Sequence, residues 1–185
     1  GYPMRVLVLG ASGMLGNAVY RYLAQDTALR VYGSARSSMA LKHFAGPLSK
    51  NLITGADVEN PDALIRLFSH ARPDVVINCI GLVKQLAEVD NPLVALPINA
   101  LLPHRIARLC ELSNARFIHI SALGADAQGP SGYLRSKAAG EAALKHAYAG
   151  ATHESYTIFR PSVVFGPQDR FMNMFAGLAK YLPIL

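Results

Sequence analysis

A strand-length segment, Met4-Arg5-Val6-Leu7-Val8-Leu9, runs directly into Gly10-Ala11-Ser12-Gly13-Met14-Leu15-Gly16. Arg5 aside, the segment is apolar at successive positions, which is the pattern of a strand buried on both faces of a parallel sheet. The turn that follows has the spacing G-x-x-G-x-x-G and leads into a helical pattern. Glycine permits the tight reversal and lets other groups approach the backbone closely. The unpaired N–H groups and the dipole at a helix N-terminus favour an anion. With a strand before it and a helix after it, the spacing predicts a dinucleotide site. Its phosphates would lie against Gly10, Ser12, Gly13, Met14, Leu15 and Gly16.

The rest of the chain continues this alternation. Arg30–Gly33, Leu52–Ile53, Val75–Cys79, Arg116–Ile120 and Ser155–Phe159 read as five further strands. Helical patterns lie near Met14–Gln25, Pro61–His70, Leu93–Leu112 and Ser131–Tyr148, with a weaker one at Ser38–Ala45. Strands separated by crossover helices predict an α/β fold with a doubly wound parallel sheet, the three-layered Rossmann fold. Apolar residues make up 51% of the 185 and charged residues 16%, enough to bury one good core and against disorder. No repeat or linker interrupts the chain, so residues 4–185 read as one NAD(P)-binding domain. Gly1-Tyr2-Pro3 looks like a cloning remnant.

The formal charge of +6 does not point to nucleic acid, because the basic residues are scattered rather than clustered. The six histidines show no paired ligand spacing, so no metal is expected. Cys79 and Cys110 lie in apolar segments and read as buried thiols of a reducing compartment. No apolar run reaches the about 18 residues of a membrane span. Nothing has the pattern of a cleaved signal either, and the expected location is cytoplasmic.

Two positions sharpen the chemistry. A carboxylate at the end of the second strand would hold the ribose 2′-hydroxyl of NAD. This chain has Arg36-Ser37 there, and its stretch from Thr27 to Ala56 has four basic residues and no acid. A guanidinium fork suits a 2′-phosphate, so NADP is favoured, with NAD as the alternative. Tyr133 and Lys137 stand four apart in a helical stretch, one turn apart on one face. A nearby ammonium and a cationic nicotinamide would both favour the phenolate, bringing the phenol within reach of proton transfer.

With these motifs the chain resembles the short-chain dehydrogenase/reductase superfamily, in its extended or atypical branch. Residues 4–120, with Cys79-Ile80-Gly81-Leu82-Val83-Lys84-Gln85 and Pro97-Ile98-Asn99-Ala100, resemble the dTDP-4-dehydrorhamnose reductase group. Residues 121–185, with Ser121–Asp126, Arg160–Pro167 and Asp169-Arg170-Phe171, resemble the dehydrogenase-like accessory subunit of respiratory complex I. The resemblance implies that Tyr133 is the acid/base and that Lys137 binds the nicotinamide ribose. It further implies that Asn99 completes a proton relay and that Asp57 and Val58 contact adenine. Cys79, Ile80 and Gly81 would line the adenosine ribose, and Pro161 and Val163 would lie against the nicotinamide. The implied activity is hydride transfer between a nicotinamide and a carbonyl carbon, with a nucleotide-sugar-like substrate.

Two departures bear on that expectation. Ser121-Ala122-Leu123 stands where the reductase group has Ser-Thr-Asp. Ser121 is then the candidate to polarise the substrate carbonyl, a task that needs a hydroxyl donor. Extended members also carry a substrate-binding region after the segment ending at Gly166-Pro167, and here only 168–185 follow. Phe171, Met174, Phe175, Leu178 and Leu182 recur near helical spacing there, as a packing helix or a face for a homo-oligomer or larger assembly. The second function class is therefore a non-catalytic NADP-binding module acting in an assembly.

Overall fold

The computed structural model describes residues 1–81, 91–152, 154–161, 173 and 176. Six strands follow the order β3-β2-β1-β4-β5-β6. They are β1 (Met4–Leu9), β2 (Leu29–Ala35), β3 (Leu52–Thr54), β4 (Val75–Asn78), β5 (Arg116–Ile120) and β6 (Tyr156–Phe159). This is the Rossmann arrangement expected from the alternating pattern. The chain divides into two compact units, one holding Gly1–Cys79 and one holding Ile80–Val163.

In the first unit β1 is central. Val6 pairs with Val31 on one side and Val75 on the other, both in parallel register. Val6, Leu7, Val8 and Leu9 are fully buried, as a strand covered on both faces must be. The two longer helices bury one stripe each. Helix α1 (Met14–Leu23) turns Gly16, Val19, Tyr20 and Leu23 inward; α3 (Pro61–Ala71) turns in Ala63, Leu64, Leu67, Phe68 and Ala71. The start of α3 is local chemistry: Asn60 accepts hydrogen bonds from Asp62 and Ala63 N–H, and Pro61 occupies the first turn. The weak helical pattern after β2 is a 3₁₀ turn over Ser38–His43. A short helix α2, Pro47–Lys50, was not expected and precedes β3.

In the second unit the long pattern near Leu93–Leu112 resolves into three pieces. Helix α4 (Pro92–Leu96) passes into a π-helical turn, Pro97–Leu101, and then into α5 (Leu102–Ser113). Pro97 and Pro103 each remove an N–H from the helical ladder, which favours a local change of winding. Helix α6 (Gly132–Ala147) starts at Ser131, whose hydroxyl accepts from Leu134 N–H. Strands β5 and β6 pair in parallel from Phe117↔Tyr156 to Ile120↔Phe159.

Candidate cofactor and catalytic sites

The glycine-rich turn in the first unit has the geometry its spacing predicts. Gly10 has φ 81°, a left-handed conformation that disfavours any side chain. A Cβ on Gly16 would lie 1.9 Å from the Gly10 carbonyl oxygen, so only glycine lets α1 start this close to the end of β1. Gly13 caps α1 with no side-chain hydrogen bond, and no acid stands in the first turn. The amides of Met14, Leu15 and Gly16 therefore have no internal carboxylate competing for the helix end, and Ser12 and Gly13 are exposed beside them. These residues fit a pyrophosphate.

The end of β2 fits a phosphate as well. The strand runs to Ala35, two residues beyond the expected end, so Arg36 follows it immediately and is exposed. The Ser37 oxygen accepts from Met39 N–H at 3.1 Å and caps the 3₁₀ turn, leaving its hydroxyl proton to donate outward. Asp57 and Val58 lie on the turn after β3. Asp57 is exposed and its carboxylate accepts from Glu59 N–H. Cys79 continues β4 with its N–H donating to the Leu9 carbonyl, beside the start of the glycine turn.

The second unit assembles a buried polar cluster. Asn99, in the π-helical turn, donates from Nδ2 to Ser136 Oγ at 3.0 Å, and Ser136 Oγ donates to the Tyr133 carbonyl at 2.8 Å. Lys137, 4% exposed, donates from Nζ to the Ile120 carbonyl at 3.1 Å. A Cβ on Gly81 would lie 3.2 Å from Lys137 Nζ and 3.3 Å from Asn99 Oδ1. The missing side chain at Gly81 thus leaves both polar ends approachable, a cradle suited to a hydroxyl-rich ribose. Ile80 is half-buried beside it and Pro161 is buried. Val163 and residues 162–167 lie outside the described residues, as do Leu82–Gln85 and the apolar series Phe171, Met174, Phe175, Leu178 and Leu182.

Burial raises the Tyr133 phenol above its usual range. The Ser121 hydroxyl donates to Glu141 Oε2 at 2.6 Å. Glu141 is also gripped by Arg160, through Nε at 2.9 Å and a terminal nitrogen at 2.6 Å. A serine has one hydroxyl proton. In this arrangement that proton is engaged by a buried carboxylate, and alanine at 122 carries no hydroxyl. Ser136, Gly140 and Glu141 were missed from sequence. The signal for Glu141 was present, since it falls one turn after Lys137 and two after Tyr133 on the same helix.

A family model described as "NAD dependent epimerase/dehydratase family" matches residues 6–181. The chain belongs to that family. As a family member it is 31% identical over 180 residues to the NADH dehydrogenase [ubiquinone] 1 alpha subcomplex subunit 9, mitochondrial, of Mus musculus, covering 96% of this chain and 45% of the relative. It is also 30% identical over 168 residues to the dTDP-4-dehydrorhamnose reductase of Mycobacterium tuberculosis, covering 82% of this chain and 49% of the relative. Both resemblances read from the motifs are present. The chain spans about half the length of these curated relatives. Among solved structures, the dTDP-4-dehydrorhamnose reductase of Bacillus anthracis in complex with NADP superposes with a TM-score of 0.68 at 22% identity, covering 97% of this chain and 61% of that one. The family's cofactor is a nicotinamide dinucleotide, and the turn at Gly10–Gly16 fits it. No helix among the described residues is long and apolar enough to cross a membrane, and none of their His, Cys, Asp and Glu side chains gather into a metal-holding group.

Proposed function

We propose that this family member binds NADP and takes part in carbonyl reduction, with Tyr133 as the proton donor. The observation that carries the reading is the cluster in which Asn99, Ser136, Tyr133 and Lys137 are linked or adjoining, with the Lys137 ammonium buried beside Gly81. The backbone amides at the start of α1 take the pyrophosphate, and the Arg36 fork and Ser37 hydroxyl take a 2′-phosphate. When bound, the nicotinamide supplies the hydride. Tyr133, kept neutral by burial, gives its proton to the carbonyl oxygen as charge develops there. Lys137, aimed by the Ile120 carbonyl, holds ribose hydroxyls and stabilises the phenolate left behind. Asn99 orders Ser136 and with it the first turn of α6 that carries Tyr133. The relatives that reduce nucleotide sugars support a keto-sugar nucleotide as the substrate class.

A second reading is favoured by one observation, the Ser121 hydroxyl held on Glu141. Without a hydroxyl donor for the carbonyl, the same cofactor site serves as an NADP-binding module in an assembly, as the likeness to a respiratory-complex subunit supports. Turnover separates the two. NADPH oxidation with a panel of keto-sugar nucleotides, abolished in Tyr133→Phe, supports the reductase. Saturable NADPH binding with no oxidation supports the module, and no binding at all overturns both.

A further inference from the structure

We propose that Glu141 is a positioning residue that aims Lys137 at the cofactor by locking the ends of β5 and β6. The inference rests on the reading above in one respect, that Lys137 meets the nicotinamide ribose.

Glu141 is buried, with its carboxylate side chain 6% exposed. A buried carboxylate is tolerated only when its oxygens are fully engaged. Here the donors come from two strand ends: the Ser121 hydroxyl just past β5, and the Arg160 guanidinium just past β6. The bidentate fork fixes direction as well as distance, because a planar guanidinium matches a carboxylate in only a few orientations. The two ends are also joined to each other, since Ser121 N–H donates to the Phe159 carbonyl at 2.8 Å.

The link to Lys137 runs through one peptide. Ile120 immediately precedes Ser121, and its carbonyl is the acceptor for Lys137 Nζ. A shift of Ser121 moves that carbonyl with it. Tyr133, Lys137 and Glu141 occupy one face of α6 at successive turns. The first two face the chemistry, and the third holds the carbonyl that aims the second.

The alternative is that Glu141 merely neutralises Arg160. Ligand binding distinguishes these, using NADPH and 2′,5′-ADP, the adenosine half that carries no nicotinamide ribose. Glu141→Gln keeps the size and removes the charge. It is expected to weaken NADPH about tenfold, on the scale of one or two lost hydrogen-bond equivalents, with 2′,5′-ADP changed less than about twofold. Lys137→Ala should show the same NADPH-specific loss, and the double variant should be no worse than Lys137→Ala, because both changes act through one ammonium. Equal weakening of both ligands, no change in either, or additive losses in the double variant each overturn the proposal. If Glu141→Gln does not fold by circular dichroism, Ser121→Ala, which leaves the Arg160 pair intact, is expected to weaken NADPH alone, and an unchanged NADPH affinity there overturns the proposal. Wild-type protein that binds 2′,5′-ADP and NADPH equally overturns the assignment of Lys137 instead, and binding of neither overturns the cofactor reading.

Discussion

The Asn99 carbonyl oxygen lies 2.1 Å from where a Cβ on Gly140 would stand, so the π-helical turn and α6 touch backbone to backbone. That contact lets the buried Asn99 amide reach Ser136 from the neighbouring element. π-turns inside helices recur at functional sites, and here the extra residue in the turn brings Asn99 against the helix that carries Tyr133 and Lys137.

Gly140→Ala is expected to destabilise the protein by about 2–3 kcal/mol, the upper part of the range for overpacking, because the opposing atom is backbone and cannot swing aside. Urea unfolding monitored by circular dichroism measures it. A midpoint unchanged from wild type contradicts the close contact.

Gly16→Ala places a methyl 1.9 Å from the Gly10 carbonyl oxygen. The turn must open, which disperses the amides proposed to hold the pyrophosphate. NADPH affinity is expected to fall by about two orders of magnitude, equivalent to about 2.7 kcal/mol. A titration following NADPH fluorescence reads it directly, and retained affinity contradicts the placement of the pyrophosphate.

Arg36→Ala should weaken NADPH by about ten- to a hundredfold, the scale of a lost charge-assisted hydrogen bond, while leaving NADH nearly unchanged. The comparison is a pair of dissociation constants for each protein. Equal losses for the two cofactors contradict the 2′-phosphate role.

His119 gives a pH prediction. Burial, assisted by the nearby Lys137 charge, lowers its imidazole from about 6.5 to about 3. The unfolded chain therefore binds a proton that the folded chain refuses. Its contribution to stability is complete above pH 6.5 and is lost as pH falls towards 3, at up to about 1.4 kcal/mol per pH unit. Unfolding midpoints between pH 7 and 4 should fall less steeply for His119→Asn than for wild type. Parallel curves for the two proteins contradict the prediction.

The elements that sequence resolved best are those governed by local pattern. Strands β1 and β5 match their expected limits, Met4–Leu9 and Arg116–Ile120, because short, mostly apolar segments of strand length leave little choice. The starts of α3 and α6 follow from Asn60 and Ser131, whose side chains cap them. The glycine turn was readable for the same reason, being a short spacing with a mechanical meaning. The π-turn was not readable, because its helical periodicity differs from an α-helix by a single residue over one turn. The direction of the Ser121 side chain was not readable, because strand-end side chains can turn towards either face. Its direction is settled by Glu141, 20 residues away.

By itself, then, the amino-acid sequence determined the alternating strand–helix order, the glycine turn and the placement of Tyr133 and Lys137 one turn apart on one helix. These depend on apolar period, glycine conformation and i,i+4 spacing, all of which are local. Tertiary structure alone decided which buried polar groups pair: Asn99 with Ser136, Lys137 with Ile120, and Ser121 and Arg160 with Glu141. Once water is excluded each such group must find a partner, and the partner is whichever group the packing brings within about 3 Å, however distant along the chain.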